Sequence, residues 1–127
     1  MTGSEGARNW IVVGALSGFL AVGLGAFGAH GLEKIATEGQ LAWWRTATLY
    51  HLLHAPALVL VGVVALRRPG PRVVGLAFLV GTVIFSGTLY AMALGAPRWL
   101  GAVTPLGGLA LMAGWLGLAL GAWRRVD

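Results

Sequence analysis

His51 and His54 stand three residues apart in one apolar stretch of the chain, and Ser86 and Tyr90 stand four apart in another. On a helix each pair shares one face, so neighbouring helices could bring the two pairs together. Imidazole can hold a metal, relay a proton near neutral pH or simply hydrogen-bond. His30 supplies a third ring. Spacing of three without a supporting carboxylate is a weak metal signal, so haem or metal through His51 and His54 is the lesser alternative and no cofactor is expected. Ser86 with His54 could form a nucleophile and its base. That chemistry needs an orienting acid, and Glu5, Glu33, Glu38 and Asp127 all lie outside the apolar stretches. No catalytic residue is therefore assigned, and the chain reads as a non-enzyme. With no cysteine there are no thiolate metal sites and no disulfides.

The elements that must position these groups follow from composition. Of 127 residues 57% are hydrophobic and 10% charged, against about 25% charged in soluble domains; mean hydropathy is +0.81. A chain this short cannot hide so much apolar surface from water, so lipid is the solvent for most of it. Four apolar stretches are long enough, at about 1.5 Å per residue, to cross about 30 Å of hydrocarbon. They define an all-α antiparallel bundle of four transmembrane helices, about 10–30, 43–66, 72–95 and 104–123, in one integral membrane domain. No segment shows the polar/apolar alternation of a barrel strand.

Arg8, Arg67, Arg68, Arg72, Arg124 and Arg125 fall on one side of such a bundle, and Lys34, Arg45 and Arg98 on the other. The excess places both termini in the cytoplasm. The net charge of +5 lies between apolar runs rather than on a patch, which argues against nucleic acid as a partner. The first span is longer than the apolar core of a signal peptide and is expected to be retained. Arg68-Pro69-Gly70-Pro71 reads as a tight turn. Thr104-Pro105 reads as a helix N-cap followed by proline at the first helical position. Pro56, inside the second span, removes the hydrogen bond to the Leu52 carbonyl and should kink the helix. The outer loop from Gly31 to Ala42 is either a short interfacial helix or a solvated turn.

Small residues recur at Gly14, Gly18, Ala21, Gly25 and Gly28 in span one and at Gly107, Ala110, Gly114, Gly117 and Gly121 in span four. Each stripe has a period of 3.5 and suits close helix packing where lipid supplies no hydrophobic drive. The simplest expectation is that the two stripes face each other in one antiparallel pair. The other is that one forms a homo-oligomer interface.

Counting along the helices places His51 and Tyr90 at about 10 Å depth and His54 and Ser86 at about 16 Å, with His30, Arg45 and Thr104 nearer the outer surface. Uncompensated polar groups in hydrocarbon cost several kcal/mol, so these must turn inward. An outward-opening polar pocket lined by His30, Arg45, His51, His54, Ser86, Tyr90 and Thr104 is expected. Its groups are either glue between helices, a site for a small or lipidic ligand, or a proton path. The leading reading is a non-enzymatic scaffold or accessory subunit of a larger membrane complex, or a ligand binder. The alternative is a transport or proton-relay component using His54.

Several motifs carry a resemblance. Gly25-Ala26-Phe27-Gly28-Ala29-His30-Gly31-Leu32, then Trp44-Arg45-Thr46-Ala47 running into Tyr50-His51-Leu52-Leu53-His54-Ala55, then Phe85-Ser86-Gly87-Thr88-Leu89-Tyr90, and Thr104-Pro105-Leu106-Gly107-Gly108 with Ala113-Gly114-Trp115 follow in order. Over roughly Asn9 to Trp123 the chain resembles the domain-of-unknown-function family 423, small bacterial inner-membrane proteins related to eukaryotic transmembrane protein 256. The resemblance implies four membrane helices in the bacterial cytoplasmic membrane, with no activity, substrate or cofactor attached. The family pattern more often reads His-Ala-Leu where Pro56 stands and glutamine at His51, which leaves His54 the stronger candidate.

Overall fold

The computed structural model describes residues 3–68, 70 and 72–124. Pro69 and Pro71 of the expected turn, Arg125 of the charge count and Asp127 lie outside the described residues. Four helices follow one another: α1 (Gly3–His30), α2 (Glu38–Arg67), α3 (Arg72–Ala93) and α4 (Leu100–Trp123), with a 3-10 turn (Leu32–Lys34) after α1. All four are long and apolar enough to cross a membrane, and there is no strand among the described residues.

Local chemistry explains the helix ends. Thr37 caps α2 through a capping box, its hydroxyl accepting from the Gln40 N–H while the Gln40 side chain accepts from the Thr37 N–H. The outer loop is therefore neither of the two expected forms: α2 starts at Glu38, and Leu32 and Leu41 are buried against Trp44 and Ala93. At the end of α3, the Ala96 N–H reaches the Ala91 carbonyl and the Gly95 N–H reaches Met92. Gly95 has φ of 104°, the left-handed residue that such a helix stop requires. Helix α2 runs on through Pro56. Helix α4 starts earlier than the Thr104-Pro105 pattern suggests, at Leu100 after Trp99, so Thr104 is no cap. Its hydroxyl instead donates back to the Leu100 carbonyl within the helix.

Contacts across each seam run in opposite senses, so the helices are antiparallel. Gly14 lies against Val59 and Gly28 against Trp44; Gly117 lies against Val74 and Gly107 against Phe85. The extensive helix pairs are α1 with α2, α2 with α3, and α3 with α4. The expected pairing of the two small-residue stripes is thus corrected. The stripe of α1 packs on α2, the stripe of α4 packs on α3, and glycines missed in the sequence, Gly62 and Gly81, return the fit from the partner helices. Arg8, Arg67, Arg68, Arg72 and Arg124 gather at one end of the bundle and Lys34, Arg45 and Arg98 at the other; the excess of positive charge marks the first as the inner end.

Packing is small inside and large outside, as lipid permits. Among the described residues the buried core is thin, one cluster centring on Leu58, Phe78 and Leu111 and two smaller ones on Trp44 and Leu89, while Phe19 is 81% and Met112 66% exposed. Close approach is uneven along the stripes. A Cβ at Gly14 would lie 2.6 Å from the Val59 backbone nitrogen, and one at Gly107 would strike the backbone nitrogen of Phe85. One at Gly18 would find only Ala55 Cβ, at 3.6 Å. We expect Gly14→Ala or Gly107→Ala to cost about 1–3 kcal/mol through overpacking, and Gly18→Ala to hold or raise stability through helix propensity. Thermal unfolding in mild detergent checks this order.

Candidate functional site

Helix α2 presents His51 and His54 on one buried face, and each ring reaches a different part of the bundle. His51 meets Ser17 Oγ of α1 through Nε2 at 3.0 Å and the Tyr90 hydroxyl of α3 through Nδ1 at 3.1 Å. The Tyr90 hydroxyl donates its proton to Thr48 Oγ1 at 3.3 Å. With that proton on Thr48, Tyr90 accepts from His51 Nδ1–H and Nε2 accepts from Ser17; in the other tautomer Tyr90 donates to Nδ1 and Nε2–H donates to Ser17, and both satisfy the ring. Three helices are joined through this ring.

His54 is held from both sides. Its Nδ1 lies 2.7 Å from the Tyr50 carbonyl one turn earlier, and the Trp115 indole N–H of α4 donates to its Nε2 at 3.0 Å. A carbonyl can only accept and an indole N–H can only donate, so the ring is neutral with its proton on Nδ1. The Phe78 and Trp115 rings pack edge-on at 4.9 Å between centroids, and both lie 5.8 Å from His54. Gly114 makes this cluster possible, since a Cβ there would lie 2.7 Å from the Phe78 ring.

The remaining polar groups are satisfied by nearer partners. Ser86 Oγ donates to the Ala47 carbonyl of α2 at 2.8 Å, and the Thr88 and Thr104 hydroxyls meet at 2.7 Å between α3 and α4. Thr82 donates to Phe78 O within its own helix. Trp44 donates its indole N–H to the Leu24 carbonyl of α1 at 2.8 Å, with its ring edge-on to Phe27 and Tyr90. Among the described residues, no buried side-chain nitrogen or oxygen lacks a partner.

The expected seven-residue pocket is thus divided. His51 and Tyr90 do meet, as their matched depths suggest, but Ser86 does not pair with His54. His54 packs against Phe78, two turns further in along α3, and Ser86 Oγ meets the Ala47 carbonyl instead. Thr104 belongs to the α3–α4 seam. His30 and Arg45 are exposed. A cleft of about 340 Å³ does open at the outer end, but between α1 and α2, lined by Gly25, Gly28, Glu33, Trp44, Arg45 and Thr48. Glu33 and Arg45 make no ion pair with each other. No group of three metal-ligating side chains is found among the described residues.

Sequence reasoning missed Ser17, Trp115 and Thr88. Ser17 carried a usable signal, being the sole hydroxyl in span one and thus obliged to face inward. Trp115 carried less, because an indole beside lipid needs no partner inside the bundle.

Together these features define a polytopic α-helical membrane protein whose buried polar groups are hydrogen-bonded within the protein, many of them across helices. The chain belongs to the family described as Protein of unknown function (DUF423), whose model matches residues 24–108. It is 40% identical to the UPF0382 membrane protein SSP2132 of Staphylococcus saprophyticus, over 92% of this chain and 98% of the relative. It is 41% identical to the UPF0382 membrane protein YwdK of Bacillus subtilis (strain 168), over 91% and 96%. It is 38% identical to the UPF0382 inner membrane protein YgdD of Escherichia coli (strain K12), over 93% and 92%. No solved structure matches the chain.

His51 makes two interhelical hydrogen bonds and His54 one. At about 0.6 kcal/mol per bond, His51→Phe should destabilise the bundle roughly twice as much as His54→Phe. Equilibrium unfolding in mixed micelles measures both, and a larger loss for His54→Phe would contradict the assignment.

Proposed function

We propose that this protein is a non-catalytic binder of a small amphipathic ligand in the outer half of the cytoplasmic membrane, with the α1–α2 cleft as its site and the histidines as structure. The observation that carries this reading is the pair of opposite charges on the cleft. Glu33 and Arg45 both line it, and neither is spent on the other. The cleft is bordered by Gly25 and Gly28 and flanked by the Trp44 indole, which gives an apolar slot below a charged mouth. A few polar groups converging on an apolar concavity is the usual pattern of a ligand site.

Those charges suit a zwitterion that pairs an amine with Glu33 and a phosphate or carboxylate with Arg45. The head of a zwitterionic lipid and a free amphipathic zwitterion share that chemistry. A relay through His54 is less favoured, because both of its ring nitrogens already have protein partners. A scaffold role in a larger complex draws on no feature of the cleft.

Phosphatidylethanolamine and soluble phosphoethanolamine distinguish the two sources. Binding of both would point to the head alone, and of the first only to a lipid. Native mass spectrometry of the wild type should show retained phosphatidylethanolamine, and Glu33→Gln with Arg45→Gln should lose most of it while circular dichroism stays unchanged. Retention equal to wild type in that double variant would overturn the cleft as the site.

A further inference from the structure

Two cavities open at the inner end of the bundle. There the stripe of α4 parts from α3 at its last glycine: a Cβ at Gly114 would strike Phe78, one at Gly117 would meet Val74 Cγ2 at 3.0 Å, and one at Gly121 would find nothing within 4 Å. Helix α1 does not fill the gap, because its extensive packing is on α2. A groove of about 430 Å³ results, lined by Val61 and Val64 of α2, Arg68 just beyond its end, Val74 of α3, and Gly117 and Gly121 of α4. A second cleft of about 410 Å³ lies between α1 and α3 and is bordered by Arg72. Trp10, Ala65 and Gly70 line both cavities, with the Trp10 ring held against Gly75.

We infer that this inner groove is a binding site for an anionic phospholipid, with an acyl chain against Val61, Val74, Gly117 and Gly121 and the head phosphate at Arg68 and Arg72. An apolar groove at the depth of the hydrocarbon is filled by hydrocarbon, because an empty one forfeits contacts along its whole lining. The charge at its mouth selects the head. Arg68 and Arg72 flank Gly70, and Arg8, Arg67 and Arg124 lie at the same end, none of them ion-paired among the described residues. Glu5, the described acid at that end, already has a partner within the chain. Basic pockets between membrane helices on the cytoplasmic side take anionic heads, each arginine contributing roughly a fivefold preference. This site is separate from the outer cleft and stands on different residues.

The test is native mass spectrometry of the full chain exchanged into mild detergent with equimolar phosphatidylglycerol and phosphatidylcholine. The wild type should retain phosphatidylglycerol in preference, and Arg68→Gln with Arg72→Gln should lower that preference by fivefold or more. Gly121→Leu, at a position with open space for a side chain, should reduce retention of both lipids while helicity is kept. Equal retention of the two lipids by the wild type would overturn the site, as would a preference unchanged in the arginine variant. A dimer that Gly121→Leu dissolves would show that a second copy of the chain covers the groove, and would overturn it too. Should Gly121→Leu fail to fold, the two exposed arginines still decide.

Discussion

Hydrocarbon offers no hydrogen bonds, and that constraint organises the interior of this bundle. Any polar side chain placed below the headgroups must find its partner inside the protein. Helix α2 supplies two rings that tie it to each of the other three helices. His51 gathers Ser17 and Tyr90 from the helices on either side, and His54 takes the Trp115 indole from α4. Helices α1 and α4, which have no extensive contact with each other, are thereby fixed relative to a common central helix. Each bond is modest in energy, but each has a direction, which dispersion between glycine and alkyl groups lacks.

Close packing supplies the rest. With lipid outside, large residues gain little from burial, so they face outward and small residues bring the backbones together. Gly14 and Gly62 let α1 lie on α2, and Gly81 and Gly107 let α3 lie on α4. Where the stripe of α4 runs past its last contact, from Gly117 to Gly121, the same feature leaves a groove. The stripe is thus a seam at its outer end and a cavity wall at its inner end.

The four spans were legible because lipid imposes a long uncharged run on any crossing helix. The meeting of His51 with Tyr90 was legible from depth alone. Helix ends were less so. The capping box at Thr37 sits in a charged segment that hydropathy discounts, and Thr104-Pro105 has the form of a helix start without being one. Which neighbour each glycine stripe packs on is a property of the assembled bundle, and neither stripe states it. Ser86 shows the same limit from the polar side. Its partner is a backbone carbonyl, which every residue possesses and none advertises.

The central claim is that both buried histidines are committed to the protein, and that His54 is neutral with its proton on Nδ1 and with Nε2 accepting from Trp115. Nitrogen-15 solid-state NMR of histidine-labelled protein in bilayers, with His51→Phe and His54→Phe used to assign the signals, reads that state directly. The account predicts a protonated Nδ1 and a bare, hydrogen-bonded Nε2 in His54, and a single proton on His51. A proton on Nε2 of His54, or a ring carrying two protons, would contradict it.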